Sequence, residues 1–439
     1  MLIEKIILSH SNSGGKPLFL TCSFHRFMIL PGMNKSGRGA CPRCLGNTNM
    51  KKYLSIASLL LIAFCFTNIQ AHDNGLAKTP PMGWNSWNKF GCNVSEKLIK
   101  EMADAMVTSG MRDAGYVYLV IDDCWQVGRD AQGNILPDPK RFPSGMKALA
   151  DYVHSKGLKF GLYSDAGTLT CQKRPGSRGY EFQDARQYAA WGVDYLKYDW
   201  CSTGTQNAPA SYSIMRDALA KAGRPIVFSI CEWGTSKPWL WAGSVGNLWR
   251  TTGDIQDCWD CKRDWGGIGV VHILDLQDGL ESYAGPGRWN DPDMLEVGNG
   301  GMTTAEYRSH FSLWCILAAP LMAGNDLRSM SREVAEILTN REVIAVDQDP
   351  LGMQGRRVKR NGDQEVWAKQ LAEGGRAVVL FNRGPAAAAV TVSWTDIGYP
   401  PHLTAKVRDL WSHKDLGPLS GNFSAEVPSH GVVMVTIKP

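Results

Sequence analysis

The sequence predicts a (β/α)8 TIM barrel followed by a C-terminal antiparallel β-sandwich domain. Eight apolar, strand-like runs alternate with helical patterns over about 275 residues, which favours a closed barrel over an open sheet. Several of these runs end in a carboxylate, as strands do where a barrel carries its reactive groups. After Gly352 the pattern changes to short strand-like segments without helices between them.

The barrel runs are recognised by apolar and β-branched residues between helical segments. They lie at Pro81–Trp84, Tyr116–Ile121, Lys159–Tyr163, Val193–Tyr198, Ile226–Ile230, Asn247–Arg250, around Arg288–Met294, and Pro320–Gly324. The helical segment "SEKLIKEMADAMVTSGMRDAG" begins with Ser95 as a predicted N-cap. A second, "FQDARQYAAWG", ends at Gly192, a residue typical of helix ends.

The C-terminal part begins after "VIAVDQDPLG". The segments "VWAKQL", "RAVVLFNR", "AAVTVSW" and "GVVMVTIK" predict short antiparallel strands joined by turns. We therefore expect the catalytic barrel over residues 72–352 and the β-domain over residues 353–439.

The stretch "MKKYLSIASLLLIAFCFTNIQA", residues 50–71, predicts a secretory signal peptide. The alternative is a membrane anchor, but the apolar core is shorter than the roughly 20 residues that a span needs. We expect an exported protein, periplasmic or secreted, without a stable membrane anchor. A signal peptide should begin a chain, so residues 1–49 are expected to be a non-native upstream extension and translation to start at Met50.

The charge of the chain does not indicate a basic patch for nucleic acid. The net charge is +5, but residues 1–71 hold eight basic side chains and one acidic one, so the remainder carries a small acidic excess. The barrel region shows no His-x-His pair, no G-x-S-x-G nucleophile motif and no Gly-rich phosphate loop. We expect no metal and no organic cofactor.

Charged residues gather at the ends of the apolar runs. They are Asp122, Asp123, Asp165, Lys197, Asp199, Glu232 and Asp254. A glycosidic bond can be cleaved by two carboxyl groups in different environments. Asp199 is the predicted nucleophile, with Lys197 on the same side of the strand to keep it ionised; Asp254 has Arg250 as its partner. The alternative for Lys197 and Asp199 is a purely structural ion pair.

Four tryptophans lie near run ends, at Trp84, Trp87, Trp125 and Trp233. An indole ring can stack on a sugar or plug the mouth of a barrel. Trp87 and Trp233 lie beside the polar groups, which favours the sugar-binding role for them.

Several motifs together resemble the melibiase-type α-galactosidases, glycoside hydrolase family 27. These are "TPPMGWNSWNKFGCN", "IDDCW", "LYSDAG", "YLKYDWC", "CEWG", "WRTTGDI", "GRWNDPDML" and "AVDQDPLG". The resemblance extends in order from about Leu76 to the C-terminus. It implies a retaining α-galactosidase with a (β/α)8 barrel and a C-terminal β-domain.

The resemblance also implies a role for individual residues. Asp199 would be the nucleophile and Asp254 the general acid/base. The other positions would bind the substrate: Trp84, Trp87, Asp122, Asp123, Lys197, Cys231, Trp233, Arg250 and Asp293. It further implies two disulfides, Cys92–Cys124 and Cys171–Cys201. Cys258 and Cys261 in "DCWDC" depart from the family pattern, and they could pair locally or stay reduced.

The expected partner is an α-galactoside oligosaccharide or polysaccharide, and a homo-oligomer is compatible with the sequence. Intact Asp122 and Asp123 favour galactose over arabinopyranose, which lacks the 6-hydroxyl. Trp233 leaves less room for a 2-acetamido group. The alternatives are an α-N-acetylgalactosaminidase or β-L-arabinopyranosidase of the same family, a non-catalytic galactoside-binding protein, and a metal-dependent isomerase or aldolase barrel.

Overall fold

The structure is a computed structural model that describes residues 73–439. The predicted signal peptide and upstream extension lie outside the described residues. The elements up to Asp347 are β1 (Met82–Asn85), α1 (Trp87–Phe90), α2 (Glu96–Thr108), α3 (Met111–Ala114), β2 (Tyr118–Ile121), β3 (Gln126–Arg129), β4 (Ile135–Pro137), α4 (Gly145–Ser155), β5 (Lys159–Asp165), α5 (Glu181–Trp191), β6 (Tyr195–Asp199), α6 (Ala208–Ala220), β7 (Val227–Ile230), β8 (Leu248–Arg250), α7 (Val270–Gln277), β9 (Trp289–Asp291), α8 (Thr304–Ile316), β10 (Leu321–Ala323), α9 (Arg332–Leu338) and α10 (Arg341–Asp347).

Eight parallel strands form one curled sheet in the order β10-β1-β2-β5-β6-β7-β8-β9. The chain after β9 returns to β10, where the Leu295 N–H donates to the Met322 carbonyl at 2.8 Å and Leu295 pairs with Ala323 in a parallel bridge. The predicted barrel is confirmed. Strands β3 and β4 form a separate hairpin outside this sheet.

The local signals in the sequence agree with the helices that cover the barrel. The Ser95 side chain accepts a hydrogen bond from the Leu98 N–H at the start of α2. Helix α5 ends before Gly192, whose φ of +88° is the left-handed conformation that glycine adopts without strain. Both predicted helix ends are confirmed.

The remaining strands build the C-terminal domain. They are β11 (Arg356–Asn361), β12 (Gln364–Gln370), β13 (Arg376–Asn382), β14 (Ala388–Ser393), β15 (Thr404–Asp409), β16 (Lys414–Ser420), β17 (Asn422–Val427) and β18 (Val432–Lys438). A six-stranded antiparallel sheet, β11-β12-β13-β18-β15-β16, packs against the β14–β17 pair. This is the predicted sandwich.

Strand β13 shows how the sandwich joins the barrel. Successive side chains of a strand point to opposite faces of the sheet. Val378 and Leu380 belong to the sandwich core, whereas Val379 and Phe381 belong to the core shared with the barrel. The central strand is therefore buried on both faces, which explains its continuous apolar run.

The segment between β8 and α7, residues 251–269, is called the β8–α7 loop below. It reaches from the barrel to the C-terminal sheet through Trp259, which is 9% exposed. The Trp259 ring stacks on His430 with 5.3 Å between ring centroids, and it meets Phe381 edge-on at 5.8 Å. The loop is thus anchored on the second domain.

Across residues 73–439, no helix is both long enough and apolar enough to cross a lipid bilayer.

Candidate active site

A cavity of about 580 Å³ lies at the carboxyl ends of the barrel strands. Nine residues that the sequence predicted line it: Trp87, Asp122, Asp123, Lys197, Asp199, Trp233, Arg250, Asp254 and Asp293. Their convergence follows from barrel closure, because Lys197 lies within β6, two residues before its carboxyl end, and each of the others lies at or beyond the carboxyl end of a strand.

Asp199, the last residue of β6, is buried at the floor of the cavity and is 6% exposed. One carboxylate oxygen accepts a hydrogen bond from the Tyr163 hydroxyl at 3.0 Å, and the other accepts from the Trp200 N–H at 2.9 Å. Burial raises the pKa of Asp199 to about 6; the positive charge of Lys197 opposes this rise and the negative charge of Asp254 adds to it.

Lys197 is paired with Asp122 rather than with Asp199. Its Nζ donates to Asp122 Oδ2 at 2.8 Å, and the Asn85 side-chain amide donates to the same oxygen at 2.8 Å. Burial by itself would lower the pKa of Lys197, but the negative charge of Asp122 outweighs burial and holds that pKa well above its usual value. The lysine therefore stays protonated.

Asp123 lies beside this pair and is fixed by backbone donors. Its carboxylate accepts hydrogen bonds from the Cys124 N–H at 2.6 Å and from the Gln172 N–H at 2.9 Å. Burial raises the pKa of Asp123. Asp122, Asp123 and Lys197 together present acceptors and one charged donor to the cavity, an arrangement that suits hydroxyl groups.

On the opposite side, Arg250 links two carboxylates. Its Nη2 lies 2.6 Å from Asp293 Oδ2 and 3.1 Å from Asp254 Oδ1. Burial alone would lower the pKa of Arg250, but Asp293 and the other nearby anionic groups hold it well above its usual value. The Asp254 side chain is 41% exposed, whereas Arg250 is 4% exposed. Of the two predicted catalytic carboxyls, Asp254 is thus more exposed than Asp199.

Comparison with known proteins decides the family. Residues 79–349 match the model of the α-galactosidase A family, and residues 361–437 match that of the α-galactosidase C-terminal β-sandwich domain. The chain belongs to the melibiase-type α-galactosidases of glycoside hydrolase family 27.

Individual members of this family are similar over most of the chain. α-Galactosidase A from Cellvibrio japonicus is 52% identical over 406 residues, covering 89% of this chain and 100% of that protein. The crystal structure of α-galactosidase I from Mortierella vinacea is 42% identical, with a TM-score of 0.81, over 83% of this chain and 98% of that one. The α-galactosidase from Saccharomyces cerevisiae with raffinose is 31% identical, with a TM-score of 0.80, over 84% and 100%.

Two of the residues expected at the family's binding site do not line the cavity. Trp84 is completely buried, and its indole N–H donates to the Asn325 carbonyl at 2.8 Å. Cys231 is 1% exposed and lies below Arg250, with 3.7 Å between Sγ and Nη1. The structure gives no support for direct substrate contact by either side chain. Of the other tryptophans considered, Trp125 is also buried, and its indole N–H donates to the Tyr163 carbonyl.

Several residues that line the cavity were not among the predicted site residues: Tyr163, Asp257, Trp265 and Glu296. Tyr163 could have been found from strand pairing, because β5 and β6 place it opposite Lys197. Glu296 accepts hydrogen bonds from the side chains of Asn88 and Asn299, and burial raises its pKa to about 8. Asp165 and Glu232, at strand ends as expected, instead accept hydrogen bonds from nearby backbone N–H groups.

Four potential metal ligands lie close together, namely Asp165, Cys171, Asp199 and Cys201, and two of them, Cys171 and Asp199, line the cavity. The two sulfur atoms are joined in a disulfide and therefore cannot act as thiolate ligands. The cluster offers two carboxylates, one of which is Asp199 itself.

Three disulfides are present among the described residues; two join loops that follow neighbouring strands, and the third lies within the β8–α7 loop. They are Cys92–Cys124, Cys171–Cys201 and Cys258–Cys261. The first two are the pairs that the family resemblance implies, and the third settles the open state of Cys258 and Cys261. Cys231 and Cys315 are buried free thiols.

We expect loss of the Cys171–Cys201 disulfide to destabilise the fold. The double substitution Cys171→Ser and Cys201→Ser should lower the free energy of unfolding by about 2–5 kcal/mol, because the bond closes a loop with a sequence separation of 30. Urea unfolding followed by tryptophan fluorescence measures this loss.

The matched control is Cys258→Ser with Cys261→Ser. This disulfide spans a sequence separation of only 3, so its removal should cost less in loop-closure entropy. An equal loss of stability in the two double variants would contradict the loop-closure explanation.

Proposed function

We propose that the chain is an α-galactosidase that removes terminal non-reducing α-D-galactosyl residues by double displacement, with retention of configuration. The observation that carries this proposal is the contrast between two carboxyl groups in one cavity. Asp199 is buried and hydrogen-bonded, whereas Asp254 is part-exposed and paired with Arg250. Glycosidases use two carboxyl groups in different environments. Asp199 is assigned as the nucleophile because the positive charge of Lys197 favours its ionised form and because it occupies the nucleophile position of the family motif "YLKYDWC".

In the first step, the Asp199 carboxylate attacks the anomeric carbon while Asp254 donates its proton to the leaving oxygen. The glycosidic bond breaks as the galactosyl–Asp199 ester forms. In the second step, Asp254 removes a proton from water, and the resulting oxygen attacks the same carbon and releases Asp199. Two inversions give net retention. We expect the two carboxyl groups to be about 5–5.5 Å apart in the substrate complex. The proposed mechanism requires no metal or cofactor.

Asp122, Asp123 and Lys197 are proposed to bind the 4- and 6-hydroxyls of galactose. In the buried Lys197–Asp122 pair, at 2.8 Å, the same Asp122 oxygen also accepts a hydrogen bond from the Asn85 side chain, which orients the carboxylate. Such a site discriminates strongly against a sugar that lacks one of the bound hydroxyls. Arg250 is proposed to act near the 2-hydroxyl, with Trp87 and Trp233 forming the apolar wall and Asp293 fixing the arginine.

The acid side of the pH–activity profile should report Asp199. Because only the carboxylate can attack, kcat/KM should fall as the pH drops through about 6, the value to which burial raises the pKa of Asp199. Lys197→Met removes a positive charge that lowers this pKa, so it should move the acid limb to higher pH as well as reduce activity. Initial rates from pH 4 to 8 measure both effects.

Lys159→Met is the matched control, since Lys159 begins β5 at the opposite end of the barrel. Lys159→Met should leave the acid limb of the pH–activity profile at the same pH as in wild type. An acid limb near pH 4, or one that Lys197→Met does not move, would contradict the assignment.

The natural setting is proposed to be the periplasm or the extracellular space, with an α-galactoside oligosaccharide or polysaccharide as substrate. The signal-peptide pattern of residues 50–71 and three disulfides support an oxidising compartment. The location is tested by expressing the chain with and without residues 50–71 and measuring the activity in the cytoplasmic, periplasmic and extracellular fractions.

The proposed reaction is tested with protein beginning at Asp73. Hydrolysis of 4-nitrophenyl α-galactoside is followed by NMR, beside the α-N-acetylgalactosaminide and the β-L-arabinopyranoside. We expect fast galactoside turnover with α-galactose appearing first, before mutarotation. β-Galactose as the first product would overturn the double displacement, and a preference for either other glycoside would overturn the substrate assignment. Binding without turnover would favour the non-catalytic galactoside-binding protein.

A further inference from the structure

Trp265 is the most exposed large apolar side chain at the active-site cavity. It is 64% exposed, yet it lines the same cavity as Asp199 and Asp254. An exposed indole has no stabilising role in the core, and none of the family motifs includes it. Its position in the cavity wall points instead to contact with a ligand.

The β8–α7 loop holds Trp265 and Asp254 in one folded unit. Ile268 N–H donates to the Asp254 carbonyl at 3.0 Å, and Gln256 N–H donates to the Ile268 carbonyl at 2.9 Å. A tight turn follows Arg263, whose N–H donates to the Gly267 carbonyl at 2.7 Å. The loop thus brings the tip that carries Trp265 back towards the acid/base.

The Trp265 indole ring packs against the loop at Gly267, and most of the side chain is exposed to solvent. A Cβ at Gly267 would lie 2.6 Å from Trp265 Cη2 and 3.0 Å from Gln256 Cγ, so the ring rests directly over this glycine. Only glycine leaves room for that contact. Because the six-membered ring lies against Gly267 and most of the side chain is exposed, the indole can serve as a platform beside the cavity.

Polar groups suited to a sugar surround this platform. Gln256, Asp257 and Asn299 line the cavity on the same side, and the buried Glu296 lies beneath Asn299. Asp257 is held by the Gly301 N–H and the Tyr307 hydroxyl. An apolar ring beside hydrogen-bonding groups matches a neutral sugar, which has both C–H faces and hydroxyls.

We propose that Trp265 is the platform of a leaving-group subsite, on which the sugar attached to the galactosyl residue stacks. This inference rests on the proposed function. Asp254 protonates the oxygen between the two sugars, and the loop that carries Asp254 also carries Trp265, so the second sugar lies on the Trp265 side. The site therefore selects galactosyl oligosaccharides over galactosides with a small leaving group.

The test compares raffinose, which has a sugar leaving group, with methyl α-galactoside, which has none. Trp265→Ala should lower kcat/KM for raffinose about tenfold and change that for methyl α-galactoside less than twofold. Gly267→Ala keeps the indole but displaces the ring, and it should produce part of the same selective loss. Leu240→Ala, a substitution at a residue that is 56% exposed, serves as the control and should leave kcat/KM for both substrates unchanged.

Equal losses on both substrates would overturn the proposal, because Trp265 would then act on the catalytic geometry. No loss on either would overturn it as well. Calorimetry in an Asp199→Asn background separates this proposal from the proposed function. Raffinose should bind more tightly than methyl α-galactoside, and Trp265→Ala should erase the difference. If wild type were inactive but this difference remained, the platform would stand while the hydrolase assignment failed; absence of the difference would overturn the platform.

Discussion

Replacement of Asp199 by alanine is expected to lower kcat for α-galactoside hydrolysis by roughly 10⁴-fold or more, because no group remains to form the galactosyl ester. The near-isosteric Asp199→Asn should be equally inactive; its amide oxygen can still accept from the Trp200 N–H, while its NH2 group can donate to the oxygen of the Tyr163 hydroxyl. Rates from single-turnover assays, with folding checked by circular dichroism, measure the loss.

Azide gives this experiment a stereochemical readout. In Asp199→Ala, the anion can enter the space left by the carboxylate and attack the anomeric carbon from the same side. A single displacement inverts the centre, so the product should be β-galactosyl azide. Formation of the α-azide, or turnover close to that of wild type, would show that another group is the nucleophile.

Replacement of Asp254 by alanine should have the second-largest effect, a loss of about 10²–10⁴-fold on raffinose. With 4-nitrophenyl α-galactoside, the rate of the first step, formation of the galactosyl–enzyme, should fall much less, because nitrophenolate departs without a proton. Hydrolysis of the galactosyl–enzyme then becomes limiting, and a burst of nitrophenol should appear in stopped-flow traces.

The same azide assay distinguishes the two carboxyls. In Asp254→Ala the ester still forms, and azide attacks it without needing a general base, so two inversions should give α-galactosyl azide. Asp260→Ala is the matched control, since Asp260 lies on the same loop with a side chain that is 67% exposed and paired with His272. Identical azide anomers from the two catalytic variants would refute the assignment of separate roles.

Much of the site could be predicted because barrel topology fixes where strand ends meet. Lys197 and Asp199 are two residues apart on β6 and so point to the same side, and both line the cavity. Asp254 followed from its position after a later strand, and Asp293 from the family resemblance. The barrel and the sandwich were predicted from periodicity, since apolar runs between helices and alternating short strands leave few other architectures.

The sequence did not reveal contacts that depend on register between strands or on the shape of a loop. Tyr163 reaches Asp199 only because β5 and β6 pair with Asp165 opposite Asp199. Trp84 and Trp87 are three residues apart in one motif, yet Trp84 is buried while Trp87 lines the cavity. The path of the β8–α7 loop places Trp265, and the only signal in the sequence is the following Gly266–Gly267 pair.

The Trp259 contact with His430 and Phe381 affects how domains can be exchanged between related enzymes. The loop that carries Asp254, the proposed proton donor, leaves the barrel and packs against residues of the sandwich that lie more than 100 positions later in the sequence. A chimera with the barrel of this chain and the sandwich of another protein would lose the contacts that Trp259 makes with His430 and Phe381, and with them the support of the loop that carries Asp254. We therefore expect functional chimeras to require that the β8–α7 loop and the sandwich domain come from the same protein.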